Sequence, residues 1–172
     1  MSRDGGLNWF EVKKGPWIYE FGDHGALIVM APMNQATRDV SFSWDEGKTW
    51  QTIQITKNPI EVTNIIIEPE STSQQFVVYG VETIEDYLDY DIDFTDFESS
   101  DNKAVIVTLD FTNLHEPQCK GVDNAGDGSS DYEIWTPFDG RHGKDKCFMG
   151  AKTSYVRRKR EATCFNGEET EK

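Results

Sequence analysis

The sequence predicts an all-β fold in which the terminal blades of a β-propeller, residues 1–113, lead into an incomplete disulfide-rich module, residues 114–172. Three observations support this. An octet recurs at an offset of 41 residues, from position 2 to position 43, close to the length of one four-stranded blade. Alternating apolar and polar segments fill the chain up to Asn113 without a sustained helical period. All three cysteines, Cys119, Cys147 and Cys164, fall in a polar, glycine-rich last third, the composition of a module held by disulfides rather than by a large core.

The octet is Ser-x-Asp-x-Gly-x-x-Trp, an Asp-box pattern, with Ser2, Asp4, Gly6 and Trp9 returning as Ser43, Asp45, Gly47 and Trp50. These residue types build a hairpin turn. The aspartate accepts hydrogen bonds from N–H groups of its own turn, the glycine supplies a positive φ, and the serine adds a second local bond. The tryptophan begins the return strand and lays its ring over the turn. Side chains occupied in this way organise structure and carry no chemistry.

Strands are expected on either side of the second octet. Residues 17–22 form a short strand, residues 25–32 an apolar run ended by Pro32, residues 40–45 an alternating segment, and residues 49–56 its return. Four strands complete one blade. Residues 61–68, 75–81 and 103–111 give the next blade only three, as expected where a closed propeller completes a blade from the other end of its circle. A plain antiparallel meander is the alternative. Residues 82–101 read as an acidic insertion, with nine carboxylates and no Lys or Arg. Asp89, Asp91 and Asp93 alternate there, but no glycine at the sixth position and no placed glutamate completes a calcium loop.

Beyond Cys119, residues 123–131 read as loop and residues 132–135 as an aromatic strand. Residues 155–160, Tyr-Val-Arg-Arg-Lys-Arg, are the one cationic run. It reads either as a processing-protease site or as an outward-facing strand paired with acidic surface. Three unrelated thiols remain an alternative to a truncated disulfide module, and three cysteines permit three single pairings.

Net charge of −14 argues against nucleic acid and anionic bilayers as partners, and no apolar stretch approaches a membrane span. No signal-peptide pattern follows Met1, so the chain on its own is expected to lack both lumenal entry and a membrane anchor. His24, His115 and His142 lie in separate polar turns without a nucleophile or metal motif, so no catalytic residue, metal or cofactor is assigned. A sialidase-like glycoside hydrolase is the enzyme reading to test, because such enzymes share the octet. Before Arg141 only Arg3 and Arg38 could clamp a substrate carboxylate, which is too few.

Residues 17–29 (Trp-Ile-Tyr-Glu-Phe-Gly-Asp-His-Gly-Ala-Leu-Ile-Val) followed by residues 42–50 resemble the final blades of sortilin-type receptors, the vacuolar protein sorting receptor 10 family. The resemblance continues through residues 105–111, Cys119, the Asp-Tyr-Glu-Ile-Trp of residues 131–135, the Cys-Phe-Met-Gly of residues 147–150, the basic strand, and the Cys-Phe-Asn-Gly of residues 164–167. It implies a ten-bladed lumenal propeller that binds cargo, braced by modules with ten cysteines. In a fungal member it implies sorting of soluble vacuolar hydrolases from the late Golgi to the vacuole, by a receptor of Golgi and endosomal membranes. It also implies that Cys119 pairs with Cys164 and that Cys147 awaits a cysteine absent from this chain. Most blades, seven cysteines, the membrane helix and the tail of that plan are missing here. The alternative is a shortened gene product without transport activity, which Met1 placed directly before Ser2 favours.

Overall fold

The structure, a computed structural model, describes residues 1–83, 103–114, 117–136 and 150–166. It is almost all β. The strands are β1 (Trp17–Gly22), β2 (Leu27–Pro32), β3 (Ala36–Thr37), β4 (Asp39–Ser43), β5 (Gln51–Gln54), β6 (Ile60–Ile66), β7 (Gln75–Glu82), β8 (Ala104–Asp110), β9 (Tyr132–Trp135) and β10 (Tyr155–Arg158).

Two antiparallel four-stranded sheets, ordered β1-β2-β4-β5 and β3-β6-β7-β8, form neighbouring blades of a partial propeller. Strand β2 explains why an apolar run rather than an alternating one occurs here. Leu27, Val29 and Ala31 face the core shared with the second sheet, while Ile28 and Met30 on its other face are buried too. That other face meets the loop after the first octet, where Lys13 donates to Ser41 at 2.6 Å between the rings of Trp17 and Trp50. In the second sheet Ile60, Val62 and Ile65 point inward, and a bulge between Val62 and Asn64 shifts the alternation by one residue. Where the sheets meet, Phe111 packs tilted against Phe42 and edge-on against Phe76. Each such buried side chain contributes about 1.5–3 kcal/mol.

The second sheet differs from the three-strand expectation. It gains β3, a two-residue segment from the β2–β4 connection, which pairs Ala36 with Glu61 and Thr37 with Ile60. So short a segment carries no readable alternation. The last third is a small module. The β9–β10 ribbon, a short 3-10 turn (Val122–Asn124) and a Cys119–Cys164 disulfide surround a modest cluster of Cys119, Tyr132 and Cys164 with Val122, Ala125 and Ala162. The two sulfurs are bonded, so these cysteines are not unrelated thiols. The acidic insertion lies outside the described residues except at its first two positions, as do Cys147, His115 and His142.

Candidate functional site: where the module docks on the octet turns

The two octets share one hydrogen-bond pattern. Ser2 Oγ donates to Asp4 Oδ1 and Ser43 Oγ to Asp45 Oδ1, both at 2.8 Å. Gly6 N donates to Ser2 Oγ at 2.9 Å and Gly47 N to Ser43 Oγ at 2.8 Å. Asn8 N and Thr49 N each reach their aspartate at 2.9 Å. Asn8 Nδ2 and Thr49 Oγ1 add side-chain bonds at 2.5 and 2.6 Å. Gly6 and Gly47 adopt φ of 89° and 81°.

The turns differ in their surroundings. Strands β4 and β5 flank the second octet, whereas none flanks the first, which is closed by Phe10 N donating to the Met1 carbonyl at 3.0 Å. Trp9 is largely exposed and donates to the Gly6 carbonyl at 3.0 Å, and Trp50 lies just before β5 rather than within it.

These bonds set the acidity of both aspartates. The backbone and side chain of Asn8 hold Asp4 down at about 2. For Asp45, burial pushes upward, but the hydrogen bonds from Thr49, Ser43 and Lys48 outweigh it and leave the carboxyl below its usual range. Both octets are ionised throughout neutral and mildly acidic conditions.

Three positions between the fixed octet residues, Arg3, Trp44 and Glu46, face the module. Glu46, the variable residue after Asp45, pairs with Arg3 of the first octet and with Arg158 Nη2 at 3.3 Å. Arg158 is 5% exposed, and its Nη1 also donates to the Cys164 carbonyl at 2.5 Å. Arg157 Nη1 donates to the Arg3 carbonyl at 2.7 Å while its Nε holds Glu133, also at 2.7 Å. Trp44 contacts Phe165, with ring centroids 6.4 Å apart. Glu46 stands at a φ of 60°, a left-handed conformation that costs a residue with Cβ about 1–2 kcal/mol. The ion pairs at its carboxylate offset that cost.

A second latch joins the module to the first sheet. Asp23, fully buried in the 3-10 turn Asp23–Gly25, accepts from Asn166 N at 3.0 Å on both carboxylate oxygens, and its carbonyl accepts from Asn166 Nδ2 at 2.8 Å. The first four residues of the basic run therefore form strand β10, and Lys159 and Arg160 follow it. It pairs with acidic residues as an outward strand would, yet Arg158 points inward. Sequence reasoning missed Arg3, Asp23, Glu46, Arg158 and Asn166 as a group. A buried aspartate at positive φ beside a glycine leaves no mark on periodicity, and an arginine inside a basic run reads as surface.

Cys119, Asp131 and Cys164 bring potential metal-ligand atoms within 4.8 Å of one another. Both sulfurs are spent in the disulfide, so they do not make a thiolate site. Among the described residues no helix is long and apolar enough to cross a membrane.

Two octet turns closed by their own hydrogen bonds, a disulfide-tied module and a salt-bridged seam define a small disulfide-braced β-module. Two family profiles described as "Sortilin, neurotensin receptor 3" and "Sortilin, neurotensin receptor 3, C-terminal" match residues 1–65 and 67–172. The chain belongs to this sortilin and Vps10 sorting-receptor family, whose domains are receptor modules rather than catalysts. It is similar to "Vacuolar protein sorting/targeting protein 10" of Debaryomyces hansenii, at 34% identity over 92% of the chain and 9% of that protein. The protein of the same name from Coccidioides posadasii is 34% identical over all of the chain and 11% of its own length. That of Mycosarcoma maydis is 33% identical over 98% of the chain and 10% of its own length. The chain spans about a tenth of the length of these curated relatives.

Proposed function

We propose that the chain acts as a non-catalytic portion of a lumenal sorting receptor for soluble vacuolar hydrolases, moving between the late Golgi and the vacuole. In this reading residues 1–113 supply propeller blades and residues 114–172 a brace, the octet residues are structural, and Cys147 pairs with a cysteine elsewhere in a longer receptor. The observation that carries it is the seam. Arg158 and Asn166 of the module engage Glu46 and Asp23 of the first sheet and its octet, holding blades and brace in one orientation. An oxidised Cys119–Cys164 bond supports an oxidising compartment.

The test replaces the matching tenth of a full-length fungal relative with this chain, in cells lacking their own family receptor. Retention of a soluble vacuolar hydrolase inside the cell is expected, and its secretion once Arg158 is changed to Met. Secretion from cells carrying the unmutated, correctly localised chimera would overturn the transport reading and favour a product without retained activity.

A further inference from the structure

Two pairs of basic residues in the chain end in arginine, Arg157–Arg158 and Lys159–Arg160, and they are consecutive. Endoproteases that read such pairs draw the substrate out as an extended strand and sink the arginine before the scissile bond into an acidic pocket. The two pairs stand in different surroundings. Arg158 is 5% exposed and belongs to β10, paired along β9, so the bond after it is not presented. Beyond the strand the chain turns back, with Ala162 N donating to the Lys159 carbonyl at 3.1 Å. The two residues at the tip of this turn, Arg160 and Glu161, are both exposed. Of the two bonds, Arg160–Glu161 is the one the fold displays.

The docked seam withholds that bond all the same. A protease needs the chain around it extended, and here it is folded into a turn. Three of the four cations also reach across the seam. Arg157 donates to the Arg3 carbonyl, Arg158 pairs with Glu46, and the Arg160 guanidinium lies 5.7 Å from the Phe10 ring centroid. Lys159 is held within its own module, its Nζ donating to the Asp127 and Ser130 carbonyls at 3.0 and 2.5 Å. A protease carboxylate can replace those two neutral acceptors, whereas the three contacts across the seam break only when the module lifts away. We propose that the Arg160–Glu161 bond is a cleavage site for an endoprotease specific for paired basic residues, closed while the module is docked on the octet turns and open when it is not. Water adds across the peptide bond, leaving a carboxylate on Arg160 and an amino group on Glu161. The two latches, Arg158 and Asn166, lie on opposite sides of the cut. The Cys119–Cys164 bond keeps the pieces joined, but the latches no longer share one continuous chain. The cut thus marks a chain whose module has failed to dock. The proposal does not rest on the transport reading, because cleavage is measured on this chain alone.

The test incubates the full, oxidised chain with a purified endoprotease specific for paired basic residues and follows the products by mass spectrometry, before and after reduction. Glu46→Gln and Asn166→Ala each loosen one latch, and neither changes the residues that the protease reads. Each should raise the rate of cleavage after Arg160 about tenfold, because cutting follows the population of the open form. The two pieces should separate only once the disulfide is reduced. Gly80→Ala perturbs the second sheet away from the seam and should leave the rate within about twofold, since local undocking rather than global unfolding opens the site. Arg160→Gln should abolish the cut. A rise with either latch variant, unmatched by Gly80→Ala, supports the proposal. Equal rates for the unaltered chain and both latch variants, an equal rise with Gly80→Ala, or cleavage after Arg158 in place of Arg160 would overturn it.

Discussion

Replacing Arg158 with Met keeps the length and apolar stem of the side chain and removes its charge and donors. The cost follows from the partners. The bond from Nη1 to the Cys164 carbonyl, at 2.5 Å, has a charged donor, and such bonds contribute about 1.5–3 kcal/mol. The Glu46 pair at 3.3 Å is buried, and removing one member of a buried pair commonly costs about 3–5 kcal/mol. Here Glu46 keeps Arg3, so roughly 1 kcal/mol of that penalty remains. The sum is about 3 kcal/mol. Urea unfolding of the disulfide-intact chain should show it as a midpoint lowered by about 1.5 M at a typical slope of about 2 kcal/mol/M. A cycle with Glu46→Gln should return a coupling of about 1 kcal/mol or more. Arg160→Met, at an exposed position, serves as the control. A loss below about 0.5 kcal/mol, or one no larger than the control's, would refute the claim that Arg158 locks the module in place.

Converting both Cys119 and Cys164 to Ser opens a loop closed across a sequence separation of 45 residues, and chain-entropy reasoning puts the loss at roughly 4 kcal/mol. Calorimetry should show it, and an unchanged melting temperature would count against the module depending on its crosslink. Asp4 has its folded acidity lowered from 3.8 to about 2. Its stabilising contribution is therefore complete above about pH 4 and lost as pH falls through about 2. A carboxyl carbon titration should place the midpoint near 2, and a midpoint near 4 would mean that the Asn8 bonds do not persist in solution. Gly80 faces Glu61 so closely that an added Cβ would lie 2.3 Å from its carbonyl oxygen. Gly80→Ala should cost about 1–3 kcal/mol by chemical denaturation, and a neutral result would show that the bulged β6–β7 pairing relaxes freely.

The fold was legible where physics acts over short range. Octet positions Ser43, Asp45 and Gly47 close their turn through bonds within five residues, so spacing alone announces them. Strands β6 and β7 alternate or nearly so because one face of each is buried, and β4 alternates between apolar residues toward the core and buried serines on the other face. Strand β3 escaped notice because two residues have no period. Most of the docking seam escaped too, since its contacts join Asp23 to Asn166 across 143 positions and Glu46 to Arg158 across 112. Nothing local distinguishes Arg158, which is buried, from Arg160 two residues on, which is exposed. The family resemblance, rather than spacing, was what singled out Cys119 and Cys164 among three possible pairings.

A repetitive architecture poses an addressing problem, since an accessory piece must find one turn among many that look alike. The octet solves it by separating two tasks. Its serine, aspartate and glycine spend their hydrogen bonds inward and leave a recurring shape, whereas Arg3, Trp44 and Glu46 in the gaps between them stay free to differ from copy to copy. The scaffold can then be duplicated without duplicating the address. In this chain the module bearing Arg157 and Arg158 sits where the second octet offers the Glu46 carboxylate and the first presents the Arg3 carbonyl. Registration of the module on these two turns is thereby written in residues that a search for the repeat treats as noise.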